Sequence, residues 1–96
     1  MFDKNDFVES VIARRLGLDE IVKEARAEIL YTESRAIRPV ESRDYVRFLR
    51  SLMFFLQNRK IPAVLSADNF QLLYHLAQHL VDRGDLEPDI LELFGE

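Results

Sequence analysis

Six residues that break regular structure divide this chain, and their placement constrains the fold more than any other feature. Gly17, Gly84, Gly95, Pro39, Pro62 and Pro88 are its only glycines and prolines, and none falls inside a periodic apolar run. Between them apolar residues recur every three to four positions, the period of a helix buried along one side. No stretch alternates apolar and polar residues long enough to make a strand. There is no internal repeat, and heptads are too short-lived for a coiled coil. The pattern predicts an all-α domain over residues 1–96: a compact bundle of four main helices plus a short C-terminal helix.

The first helix is expected over Asp6–Leu16, with Phe7, Val8, Val11 and Ile12 on one face and Gly17 as its stop. The second is expected over Asp19–Arg35, striped by Leu18, Ile21, Val22, Ala25 and Ile29. The third spans Ser42–Arg59. Its arc of Tyr45, Val46, Phe48, Leu49, Leu52, Met53, Phe55 and Leu56 covers nearly half the circumference, marking the central helix. The fourth starts after Ser66, a good N-cap, and ends at Gly84, with Phe70, Leu73, Tyr74, Ala77, Leu80 and Val81 inward. The last runs from Pro88 to Phe94, proline suiting a first helical position. Short linkers at Ala36–Glu41 and Lys60–Leu65 fit a bundle. Ile29, Leu49, Leu52, Leu56, Leu73 and Ala77 are the expected core.

Charge is segregated. Residues 1–34 carry five Lys/Arg against eight Asp/Glu, residues 35–60 seven against two, and residues 61–96 one against seven. The formal total of −4 thus conceals an acidic start, a basic middle and a strongly acidic end. Such a chain is a poor general coater of nucleic acid, yet its middle suits a local anionic partner. The opposed segments should attract each other, within one chain or between two. The absence of cysteine and of a basic-then-apolar leader leads us to expect a cytoplasmic protein. The longest apolar run, Leu52–Leu56, is too short to span a bilayer, so no membrane partner is expected.

On the third helix, Arg43, Arg47, Arg50 and Phe54 fall at offsets of zero, four, seven and eleven, which stacks them along one side. Three guanidinium groups ending in a phenylalanine suit carboxylates, phosphates or an acidic helix. The plainer reading is a solvated face paired with the protein's own carboxylates, Asp44 among them. Leu30, Phe54 and Leu72 stand off their helices' apolar stripes, with Leu76 at the margin. Scattered exposed apolar residues are ordinary, but on so small a bundle they fit a surface buried by a second copy.

His75, His79 and Asp82 share one face of the fourth helix, and imidazoles one turn apart can chelate a divalent metal. Leu76 stands where a zinc-protease helix would carry its general base, so two solvated histidines are the plainer reading. Ala13, Gly17 and Val22 approach helix-turn-helix spacing. Lys23 occupies the position that should be apolar, however, and Asp19, Glu20, Glu24 and Glu28 would repel phosphates. A plain helical corner accounts for them. Arg83-Gly84-Asp85 spells an adhesion tripeptide but reads as a helix C-cap. The serines lack a base, and no glycine-rich loop exists to cradle a phosphate, so no enzyme and no cofactor are expected.

The leading expectation is therefore a non-enzymatic protein-interaction module, an adaptor, regulator or small subunit. Its expected partner is a protein, an acidic one suiting the ridge best, bound by Arg43, Arg47, Arg50 and Phe54. It is expected to form a homodimer through Leu30, Phe54 and Leu72. Nucleic-acid binding by the arginine ridge comes second, and a metal-responsive switch at His75, His79 and Asp82 third.

Overall fold

The computed structural model describes residues 3–35 and 39–95, with backbone alone at positions 39 and 41. Four α-helices, α1 (Lys4–Ala13), α2 (Leu18–Arg35), α3 (Pro39–Asn58) and α4 (Ala67–Asp82), precede a 3₁₀ helix over Pro88–Phe94. The described residues contain no strand. None of these helices is long and apolar enough to cross a membrane.

Each boundary follows from backbone chemistry. Asp3 caps α1 by accepting from the amides of Asn5 and Asp6, so the helix starts at Lys4, two residues before the expected Asp6. It ends at Ala13, not Leu16. The Arg15 amide donates to the Ile12 carbonyl and the Leu16 amide to the Val11 carbonyl, a Schellman closure that puts Arg15 at φ 53°. Gly17, the expected stop of α1, instead precedes α2. Its amide donates to the Glu20 carboxylate at 3.0 Å while its carbonyl accepts from Ile21, one half of a capping box. Helix α3 starts at Pro39, three residues earlier than expected, so Ser42 is a buried residue of the first turn and not a cap. The remainder of the expected linker, residues 36–38, lies outside the described residues. Ser66 caps α4 as expected, accepting from the Asn69 amide, and Gly84 closes it at φ 84° in a second Schellman closure.

Helix α3 is central. Phe48, Leu49, Leu52 and Phe55 are fully buried, packed among Val8 and Val11 of α1, Ile21 and Ala25 of α2, and Leu73, Ala77 and Leu80 of α4. All six expected core residues are buried. The 3₁₀ helix returns through Phe94, whose ring meets Phe55, Phe70 and Tyr74 at centroid separations of 5.1–5.5 Å. The face of α4 differs from expectation. Asn69 and Leu76 are buried and Leu72 is half-buried against the core, whereas Phe70, Tyr74 and Val81 are only half-buried. Helix α1 packs against that flank and covers it. Lys4 crosses there, donating to the Asn69 side chain at 2.6 Å and pairing with Asp44 of α3 at 2.8 Å, so one ammonium ties three helices.

Candidate anion-binding flank of helix α3

The outer side of α3 carries Arg43, Arg47, Arg50 and Phe54, all exposed. One hydrophobic arc serves the core, and the offsets of four and three keep these residues on the other side of the helix. Arg50 is pinned by Glu33 of α2, with Nη2 to Oε2 at 2.9 Å. Arg43 and Arg47 have no ion-pair partner among the described residues. Asp44, the carboxylate nearest in sequence, is held by Lys4. The basic middle of the chain therefore pairs with residues of the acidic start, through Arg50–Glu33 and Asp44–Lys4. Among the described residues it makes no ion pair with the acidic end, where Asp85 is held by Arg83.

Arg47 and Arg50 stand between two grooves. One, of about 470 Å³, lies against α2 and is lined by Thr32, Glu33, Ser42, Arg43 and Val46 besides those arginines. The other, of about 580 Å³, lies against the 64–66 segment and the start of α4. Thr32, at the first groove, is fully buried, and its hydroxyl has no hydrogen-bond partner among the described residues. Deeper between α2 and α3, the Tyr45 hydroxyl donates to Glu28 at 2.7 Å. Burial, and then the adjacent carboxylate, push that phenol well above its ordinary range and keep it neutral.

The other candidate residues are more dispersed. Leu30 is 65 % exposed and Phe54 41 % exposed, as their positions off the stripes predicted. Leu72, expected at an interface, packs on the core beneath α1. His75 and His79 contact edge to face at 4.9 Å, and the Glu9 carboxylate lies 3.7 Å from His75. Among the described residues no three His, Cys, Asp or Glu side chains converge on a metal-sized space, so Asp82 does not complete a ligand set with the two imidazoles. Arg83 serves the fold. Its guanidinium donates to the Leu16 carbonyl at 2.6 Å and to Asp85, tying the end of α4 to the α1–α2 corner.

Sequence reasoning missed Thr32 and Glu33. Thr32 continues the stripe of Ala25 and Ile29, so burial was legible there, but its unpartnered hydroxyl was not. Glu33 depends on how α2 sits against α3, which no local pattern encodes. No protein-family model, curated protein or solved structure matches this chain.

Proposed function

We propose that this chain is a non-enzymatic interaction module that holds an acidic protein partner along the outer flank of α3. The observation that carries the reading is the pair Arg43 and Arg47, neither of which has an ion-pair partner among the described residues. They stand one helical turn apart at the edge of one groove, whereas Arg15, Lys23, Arg26 and Lys60, which also lack an ion-pair partner among the described residues, do not line it. Surface charges left without internal partners contribute little to folding and are available for recognition. Phe54, two turns beyond Arg47, adds an aromatic contact of the kind enriched at interface centres.

Matched affinity captures test this reading. Wild type and Arg43→Glu/Arg47→Glu, both shown to be folded by circular dichroism, serve as baits. Partners held by wild type and lost from the variant should be acidic proteins. Identical captures by the two baits would refute the reading. Enrichment of nucleic acid by wild type alone, with affinity falling steeply as salt rises, would replace it with nucleic-acid binding.

Self-association is a second reading, supported by the exposure of Leu30 and Phe54. Leu72 is half-buried against the core and offers that surface less area than Leu30 or Phe54.

A further inference from the structure

We infer that the groove between α2 and α3 receives a phosphate monoester carried on a side chain of the partner protein. This rests on the acidic-partner reading and narrows it to one chemistry. Charge and donors select the phosphate. Arg50 is paired with Glu33, which leaves Arg43 and Arg47 at the groove without an ion-pair partner among the described residues. A single carboxylate would neutralise one of them. A phosphate monoester carries roughly −1.5 to −2 at pH 7 and offers three acceptor oxygens, enough to bridge both guanidinium groups and leave a lone pair over.

The floor supplies a place for that lone pair. Thr32 lines the groove with its hydroxyl closed to solvent and unpartnered among the described residues, the state of a donor whose acceptor is missing. As the groove stands, neighbouring side chains close over it. Binding requires that an oxyanion drawing the two arginines toward it also uncovers the hydroxyl, which would then gain an acceptor. Phe54 fixes what lies beside the phosphate. It is seven residues beyond Arg47, about 10 Å along the helix at ~1.5 Å per residue. An extended peptide covers that distance in about three residues at ~3.3 Å each. The partner segment should therefore carry an apolar residue about three positions from the phosphorylated one.

The probe is an oriented peptide library with a fixed phosphoserine or phosphothreonine, compared with the same library unphosphorylated and with glutamate at the fixed position. The expected result is at least a tenfold gain in affinity from the phosphate, with leucine or phenylalanine selected about three positions away. Arg43→Gln/Arg47→Gln should abolish that gain. Thr32→Val should reduce it several-fold while raising the melting temperature of the free protein, because valine has no hydroxyl to leave unpartnered. A merely structural threonine would change stability without changing the phosphate gain. If glutamate and phosphorylated libraries bind equally and both need Arg43 and Arg47, the phosphate assignment is overturned and the acidic-partner reading stands. If neither binds, both fall. If inorganic phosphate alone binds as tightly as the phosphopeptides, the site is a small-anion receptor and the peptide assignment is overturned. If a single-stranded oligonucleotide outcompetes the phosphopeptides, the groove belongs to nucleic acid.

Discussion

Left-handed backbone is where the identity of single residues in this chain matters to the closing of its helices. Gly84 closes α4 at φ 84° with open space where a Cβ would stand, so an alanine there meets no clash and incurs only the backbone cost of that region. Gly84→Ala should destabilise by about 1 kcal/mol, read as a lower denaturant midpoint at unchanged slope. Gly17 is the contrast. It lies outside that region, and a Cβ would sit an ordinary 3.6 Å from the Glu20 carboxylate. Gly17→Ser should hold or raise stability by a few tenths of a kcal/mol, because serine adds an N-cap acceptor. Tyr45 gives a residue-scale test of electrostatics. Its phenol is raised in the folded state, so its contribution is complete below pH ~10, where the unfolded tyrosine titrates, and is lost as pH rises beyond that. Unfolding free energy should fall above pH ~10 more steeply in wild type than in Tyr45→Phe, and equal slopes would show that the phenol is not held buried between α2 and α3 in solution.

Among the elements, α3 was the most legible. Its eight-residue arc places Leu49 and Leu52 close to its centre, where a small error of phase cannot expose them, and both are fully buried. Leu52→Ala should cost about 2–5 kcal/mol through lost contact and the cavity left behind. Legibility failed where the neighbour decided the outcome. The periodicity of α4 centres its stripe on Leu73 and Ala77 and leaves Leu72 and Leu76 at the margin. The approach of α1 widens the buried face to include Leu76, and that approach is set by tertiary packing. The α1–α2 corner failed differently. Glycine is the usual occupant of a Schellman closure, so Gly17 looked like the stop, but Arg15 takes the left-handed position and Gly17 serves the next helix. At the arginine flank, spacing revealed which residues share a side. Which of them remain unpaired depended on Lys4 and Glu33, distant in sequence. The 3₁₀ helix is attached through Ile90, Leu91 and the Phe94 ring. Phe94→Ala should cost about 2 kcal/mol, below the ~3–5 kcal/mol of a fully buried phenylalanine because Phe94 is half-buried, and should speed amide exchange at Ile90 and Leu91 first.

At the scale of the whole molecule, the question is whether the charge asymmetry and the surplus apolar residues serve a second copy. The acidic end is not paired with the basic middle inside one chain, among the described residues, so attraction between chains is available to orient two protomers. The surface totals 6065 Å². A stable interface buries roughly 800 Å² per partner, about an eighth of that, and neither Leu30 nor Phe54 alone approaches it. A homodimer therefore needs the arginine flank around Phe54 as well as its ring. Phosphate or acidic-peptide binding at Arg43 and Arg47 would then compete with self-association through the same side of α3. Phe54→Asp separates the possibilities. The ring lies outside the core, so the variant should keep its helical content. If wild type is a dimer through this flank, the variant should sediment at half the mass, and a phosphopeptide added to wild type should do the same. A wild type that sediments as a monomer at high micromolar concentration would remove the dimer and leave the flank of α3 wholly to its partner. Unfolding of Phe54→Asp would instead show that the covered part of the ring is needed by the fold, and that the boundary between core and binding face on α3 lies one turn further out than its exposure suggests.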